Sequence, residues 1–151
     1  MTPVNRRLAL AQRPDGTPGP EHFRRDDQAV AELADGQFLV RNHYLSIDPA
    51  QRGWIAAGAN YADPVPVGGV MRALAVGIVV ASRNARFAVG EYLYGWFGWQ
   101  DYCAANERLV ISRVQPAHGS VSAGLGLFGI SGVSAYLALT ELGRQIGRAH
   151  V

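Results

Sequence analysis

Few side chains in this 151-residue sequence are of a type that does chemistry, and most of them stand alone. Cys103 is the single cysteine, so the sequence predicts no internal disulfide and no cysteine-based zinc site. The four histidines, His22, His43, His118 and His150, lack the spacing typical of metal ligands. We therefore expect no bound metal, and we expect Cys103 to be a small buried hydrophobic residue.

Two further groups of residues have the chemistry to shape a site. Asp48 and Arg52 flank Pro49 at positions i and i+4, which predicts a helix N-cap and an ion pair that fix a loop. An aromatic cluster surrounds Gly98 and consists of Trp96, Phe97, Trp99 and Tyr102. Such a cluster indicates either core and hairpin packing or the aromatic wall of a substrate cleft.

The composition indicates one ordinary globular domain and excludes several classes of protein. Hydrophobic residues make up 48% and charged residues 17%, which excludes a disordered chain. The net charge is only +2 and the arginines are scattered, so we expect no nucleic-acid partner. No apolar stretch approaches the length of a membrane span and no signal peptide is evident, so we expect a cytoplasmic protein without a membrane partner.

The elements that must position these side chains are mainly strands. Alternating or β-branched runs predict strands near 4–11, 23–33, 37–47, 73–81, 91–97, 99–105 and 109–114. Gly77 lies in the middle of one of them, where we expect another backbone to approach closely. Residues 49–57 are predicted to form one or two helical turns, and the pattern becomes helical over 122–128 and 132–142.

Three segments together resemble one family. They are NHYLSIDPAQRG (42–53), FAVGEYLYGWFGWQDY (87–102) and LGLFGISGVSAYLAL (125–139). Their order and spacing resemble the zinc-independent medium-chain dehydrogenase/reductase superfamily, most of all the prostaglandin, alkenal and curcumin-type NADPH-dependent double-bond reductases. The resemblance implies a mainly β fold, a GroES-like β-barrel with short helices. It implies a catalytic domain over 1–121 and an interdomain helical segment over 122–145. In the family that segment leads to a Rossmann domain in cis, which we expect to be missing here. Residues 146–151 do not continue the pattern and are expected to be a non-native tail.

The activity implied by the resemblance is reduction of the C=C bond of α,β-unsaturated ketones and aldehydes by hydride transfer from NADPH. Zinc is not expected, because Leu45 and the segment 72–74 stand where zinc-dependent relatives carry ligands. The fragment by itself is expected to be inactive. Two alternatives stay open: a quinone oxidoreductase of the same superfamily, and a stand-alone GroES-like module for binding or oligomerisation. The resemblance also allows a homodimer.

The resemblance also implies site residues. Tyr61 lies in the Gly- and Pro-rich loop 58–70, where related reductases place a substrate-facing tyrosine, so it is either the catalytic hydrogen-bond donor or an exposed loop residue. Ala50 replaces a pocket tyrosine of the family, and Trp99 is the predicted substrate contact of the aromatic cluster. The predicted cofactor contacts are Gly129, Ile130 and Ser134, with interdomain helix packing as the other interpretation.

Overall fold

A computed structural model describes residues 3–58 and 62–143, and strands dominate this part of the chain. The strands are β1 (Val4–Asn5), β2 (Leu8–Leu10), β3 (Phe23–Arg25), β4 (Gln28–Ala29), β5 (Phe38–Leu45), β6 (Ala75–Ser82), β7 (Tyr92–Gly95), β8 (Tyr102–Ala105) and β9 (Val110–Val114). The helices are α1 (Ala50–Trp54) and α2 (Ile130–Leu137), and α2 continues as a π-helical turn over Ala138–Leu142. Short 3-10 turns cover Pro20–His22, Glu107–Leu109, Pro116–His118 and Val121–Gly124. The predicted mainly β class is confirmed.

Five of these strands form one antiparallel sheet in the order β8-β5-β6-β7-β9. The remaining four form two antiparallel ribbons, β1 with β4 and β2 with β3. Isolated bridges between Arg7 and Gln100 and between Ala9 and Val70 attach the ribbon residues to the rest of the domain. Within the described residues the edge strands β8 and β9 do not pair with each other, so the expected barrel is an open sheet flanked by ribbons.

The central strand β6 needs a glycine at the point where the paired strand β5 approaches it closely. A Cβ placed on Gly77 would come within 2.5 Å of the Arg41 carbonyl oxygen and 2.6 Å of Val40 Cγ1. Real Cβ atoms do not approach other atoms so closely, so only glycine fits here without a shift of β5. The close backbone approach predicted at Gly77 is confirmed.

Side chains on the two faces of strands β6 and β7 belong to two different buried clusters. Ala75 and Leu93 belong to the main cluster, whose other buried members include Phe38, Val79 and Phe97. Val76 and Tyr94, which are cross-strand partners, point to the opposite face with Leu74. Because neighbouring side chains in a strand leave on opposite faces, Leu93 in the core requires Tyr94 to face the other way. That second face is the one covered by residues 121–125.

Helix α1 closes one side of the domain. Trp54 and Ile55 at its end are buried against Leu10, Val65 and Met71. Half-buried Phe23, Trp96 and Trp99 pack around this cluster. The helix is thereby fixed between the ribbon β2–β3 and the loop that precedes β6, with its first turn toward the second face of the sheet.

The C-terminal part of the described chain carries apolar side chains on its surface. Leu127 is 70% exposed, Tyr136 is 65% exposed and Leu139 is 59% exposed. Phe128, Ile130 and Val133 are about half exposed as well. We call this surface, residues 127–139, the apolar face. In the described part of the chain, no helix is both long and apolar enough to cross a membrane.

Candidate functional site

A cavity of about 370 Å³ lies between the second face of the sheet, the first turn of α1 and the start of α2. Its walls are largely apolar, with a few polar groups at one side, as expected of a site for an organic ligand. The residues on which its chemistry depends are Ser46, Asp48, Trp54, Leu74, Tyr94 and Trp96, together with Ile130 and Ser131 of α2.

The polar side of the cavity is formed by the loop between β5 and α1. The Ser46 hydroxyl donates to Asp48 Oδ2 over 2.5 Å, so the carboxylate is held by a neighbour in its own loop. Arg52 donates instead to the Gly16 carbonyl oxygen, and α1 begins at Ala50 without a side-chain cap. The predicted N-cap and Asp48–Arg52 ion pair are therefore wrong, because Ser46 lies nearer to the carboxylate and the Gly16 loop lies nearer to the guanidinium.

Gln51 is the residue that fixes this loop. Its side chain is 5% exposed, and its amide nitrogen donates to the carbonyl oxygens of Ser46 and Arg72, each over 3.2 Å. Its amide oxygen accepts from the Asp48 backbone nitrogen over 3.1 Å. Every bond reaches the loop or the segment before β6, so Gln51 holds the backbone of the cavity rather than lining it.

Tyr94 is the polar group of the apolar wall. The residue is 2% exposed and its hydroxyl oxygen accepts a hydrogen bond from the backbone nitrogen of Ile130, the first residue of α2, over 3.4 Å. Burial raises the pKa of the Tyr94 hydroxyl above its ordinary value, the Ile130 bond lowers it, and the nearby Asp48 charge raises it further. The net shift is upward, so the phenol stays neutral at physiological pH.

Two tryptophans continue the wall. The rings of Trp54 and Trp96 meet edge to face with their centroids 5.8 Å apart. The Arg72 guanidinium lies 5.3 Å from the centre of the Trp54 ring, a cation–π contact on the side of a neighbouring cavity. Trp54 is buried and Trp96 is half-buried, and their edge-to-face contact places both rings at the wall of the cavity.

Helix α2 brings one of the three predicted cofactor contacts to the cavity. Ile130 lines the cavity directly, and Gly129 is buried just before the helix, where a Cβ would come within 2.6 Å of the Leu125 carbonyl oxygen. Ser134 lies one turn further along α2, exposed and outside the cavity lining. Ser131, which was not predicted from the sequence, lines the cavity in its place.

The predicted substrate contacts differ in where they lie relative to the cavity. Ala50 is half-buried and lines the cavity. Trp99 lies outside its lining: its indole nitrogen donates to the Ser46 carbonyl oxygen over 3.3 Å, and its ring packs 5.7 Å from that of Phe23. Tyr61 falls outside the described residues.

Sequence reasoning missed Trp54, Leu74 and Tyr94 as cavity residues. The period-two pattern of β7 contained a signal for Tyr94, because a buried Leu93 places its neighbour on the opposite face. Trp54 gave no comparable signal, since its position depends on where α1 packs.

The described residues contain no group of three or more histidine, cysteine or acidic side chains placed to hold a metal ion. What the arrangement offers is a neutral phenol, two hydroxyl groups and one carboxylate at the edge of an aromatic cavity. Such a set can bind a flat organic molecule and donate hydrogen bonds to an oxygen atom on it.

Comparison with known proteins identifies relatives that match most of this chain. A family model described as the N-terminal domain of oxidoreductase matches residues 6–112. The NADPH-dependent curcumin reductase of Escherichia coli K12 is 40% identical over 141 residues, which are 93% of this chain and 40% of that protein. The 2-alkenal reductase (NADP(+)-dependent) of Nicotiana tabacum is 25% identical over 69% of this chain and 31% of that protein.

A solved structure gives the same result. The crystal structure of CurA in complex with NADPH, from Vibrio vulnificus, superimposes with a TM-score of 0.81 at 38% identity, covering 92% of this chain and 41% of that chain. This chain thus spans about two fifths of the length of these first relatives. The matches confirm the family resemblance and the GroES-like fold class expected from the three sequence segments.

Proposed function

The chain belongs to the family described as the N-terminal domain of oxidoreductase, in the medium-chain dehydrogenase/reductase superfamily, and we propose that it forms the catalytic part of an NADPH-dependent enone reductase. The substrates are α,β-unsaturated ketones and aldehydes. The observation that carries the proposal is the aromatic cavity between the sheet and α2, bordered by the apolar face.

The residues at the cavity edge fit the nicotinamide end of the cofactor. Ile130 offers an apolar surface to a flat ring, and the exposed hydroxyl groups of Ser131 and Ser134 offer partners for a carboxamide. When bound, NADPH supplies a hydride to the β-carbon of the substrate. Ile130, Ser131 and Ser134 bind and orient that end of the cofactor.

The protein's part in the reaction is to orient the enone and stabilise charge. When the β-carbon receives the hydride, the electrons of the C=C bond move toward the carbonyl and leave an enolate. A proton from solvent then adds to the α-carbon, so that NADPH, a proton and the enone give NADP⁺ and the saturated ketone. Trp54 and Trp96 position the flat conjugated system and exclude water. Tyr61 remains the predicted donor of the loop 58–70.

We propose that the reaction needs no zinc. By the resemblance, Leu45 stands where zinc-dependent relatives carry a cysteine and Ala73 where they carry a histidine, and aliphatic side chains cannot bind zinc. Reduction of an activated C=C bond needs no Lewis acid, because the enolate is stabilised by hydrogen bonds.

The apolar face supports a two-part enzyme over a stand-alone module. A stand-alone module would present polar side chains over 122–142, whereas Leu127, Tyr136 and Leu139 are each more than half exposed. We propose that this face packs against a nucleotide-binding domain in the complete enzyme, and that the 151-residue chain alone does not turn over substrate.

A chimera tests this function. This chain is joined to the portion of the E. coli curcumin reductase that it does not match, and NADPH consumption is followed with curcumin, a small enone, a saturated ketone and a quinone. We expect consumption with both enones and little with the saturated ketone, and no turnover by the unjoined chain. Preferred turnover of the quinone would favour the quinone reductase alternative, and turnover by the unjoined chain would contradict the two-part enzyme.

A further inference from the structure

We propose that the Tyr94 hydroxyl donates a hydrogen bond to the carbonyl oxygen of the enone and stabilises the enolate, which makes Tyr94 a catalytic residue. The inference rests on the proposed reductase function and adds a donor to it. It starts from the position of the hydroxyl group, at the wall of the cavity and beside the first residue of α2.

The hydroxyl hydrogen of Tyr94 is available to a ligand. Its oxygen accepts from the Ile130 backbone nitrogen, and among residues 3–58 and 62–143 the Tyr94 hydroxyl donates no hydrogen bond. A phenol has one hydrogen to donate, so a buried tyrosine at a cavity wall offers that hydrogen to whatever fills the cavity.

The bond from Ile130 also improves Tyr94 as a donor. Ile130 is the first residue of α2, so its N–H is one of the groups at the positive end of the helix dipole. A hydroxyl oxygen that accepts a hydrogen bond donates its own hydrogen more strongly, because the bonds polarise one another. As negative charge develops on the substrate oxygen, the hydrogen bond from Tyr94 to that oxygen and the bond from Ile130 to Tyr94 both become stronger.

The other polar groups of the cavity are less suited to the role. The Ser46 hydroxyl is engaged with Asp48 over 2.5 Å, and a carboxylate would repel a developing enolate. Ser131 is exposed on α2, where water competes for its hydroxyl group. Tyr94 is the donor that lies in the water-poor part of the cavity, where a hydrogen bond to an oxyanion is strongest.

The β7 strand also fixes the direction of the group. Tyr94 pairs with Val76 across the sheet and packs with Leu74, so its ring has little freedom to rotate. A donor that is already oriented stabilises the enolate without reorganisation during the reaction. The neutral state of the phenol, maintained by its raised pKa, keeps the hydrogen on the oxygen at physiological pH.

The test uses the 151-residue chain and the probe 4-phenyl-3-buten-2-one labelled with ¹³C at the carbonyl carbon. The carbonyl resonance moves downfield when its oxygen accepts a hydrogen bond, and a titration gives both the bound shift and the affinity. We expect a downfield bound shift with the unchanged chain, and in Tyr94→Phe the loss of that shift with about tenfold weaker binding.

Two variants serve as controls. Tyr92→Phe removes a hydroxyl from the same strand, where the ring packs against His43 away from the cavity, and should match the unchanged chain. Ser131→Ala should also keep the shift. A bound shift that survives in Tyr94→Phe, or that disappears in Ser131→Ala instead, would overturn the assignment, and so would an absence of probe binding to the unchanged chain.

A further measurement does not depend on the folding of a variant. In the unchanged chain, the methyl group next to the probe's carbonyl should give nuclear Overhauser contacts to the Tyr94 ring, and contacts to α2 alone would contradict the assignment. The two proposals can fail separately. A chimera without enone turnover would contradict the reductase function, while a difference in bound shift between the unchanged chain and Tyr94→Phe would still support Tyr94 as the donor. Enone turnover by the chimera together with an unchanged bound shift in Tyr94→Phe would support the reductase function and contradict Tyr94 as the donor.

Discussion

Cys103 shows how burial controls the chemistry of a single side chain. The residue lies on β8, is 7% exposed and packs in the main core with Phe38 and Val40. Burial raises the pKa of its thiol from the ordinary 9.0 to about 11, because the thiolate would lose its hydration. The small buried hydrophobic residue expected from the sequence is confirmed, and Cys103 is a core residue rather than a nucleophile.

This shift predicts a loss of stability at alkaline pH. Because the pKa of the thiol is higher in the folded state, the stability that the protonated thiol contributes to the folded state is fully present below pH 9. That stability is lost as pH rises toward about 11. The free energy of unfolding of the unchanged chain should therefore fall, relative to that of Cys103→Ala, by up to about 3 kcal/mol over this range. Urea unfolding of both chains at several pH values measures the difference, and a difference that does not change with pH would contradict the burial account.

Gly77 provides a second test at the residue scale. Gly77→Ala places a methyl group against the Arg41 carbonyl oxygen and should lower the free energy of unfolding by about 1–3 kcal/mol. Gly126→Ala is the matched control, since nothing lies within 4 Å of a Cβ there, and should change it by less than about 0.5 kcal/mol. Equal effects of the two changes in urea unfolding would show that β5 and β6 do not approach as described.

At the scale of elements, the short helix α1 depends on side chains from elsewhere in the chain. Gln51 ties its first turn to the Ser46 loop, and half-buried Arg13 donates to the carbonyl oxygens of Ile55, Ala56 and Val65 over 3.0–3.1 Å. A helix of five residues is unstable by itself, so these bonds and the burial of Trp54 hold the floor of the cavity in place.

Replacing Gln51 by methionine tests that dependence. Gln51→Met keeps the volume but removes three hydrogen bonds to buried backbone groups, so it should cost about 2–4 kcal/mol of stability. It should also weaken binding of the labelled enone, because the Ser46 loop loses its position. Gln12→Met, at an exposed site, should change neither quantity. Thermal unfolding and the probe titration measure both, and a fully stable Gln51→Met chain would contradict the role given to Gln51.

The sequence predicted the positions of the strands more accurately than it predicted the residues of the cavity. The runs around β5, β6 and β9 have β-branched and aromatic residues at period two, a local signal that tertiary contacts reinforce. The segment 4–11 became two short strands, because its partners β3 and β4 belong to different ribbons. Side-chain partners such as those of Asp48 and Trp99 depend on loop packing, which no local pattern encodes.

At the scale of the whole molecule, the apolar face is the feature that an isolated domain does not explain. The paired change Leu127→Gln and Leu139→Gln replaces two exposed apolar side chains and should leave the free energy of unfolding within about 0.5 kcal/mol. In the chimera the same pair should raise the KM for NADPH or lower turnover, because it would disrupt the proposed contact of this face with the nucleotide-binding domain. Leu93→Gln, in the core, should by contrast unfold the chain. Unchanged kinetics in the chimera would show that this face is not the contact.

The position of the transferred hydride in the product distinguishes reduction of the C=C bond from reduction of the carbonyl group. The chimera is given NADPH carrying deuterium at the transferable position together with an enone, and the product is analysed by NMR. We expect a saturated ketone with one deuterium at the β-carbon and an intact carbonyl group. Deuterium on the carbonyl carbon of an alcohol that keeps its C=C bond would contradict it.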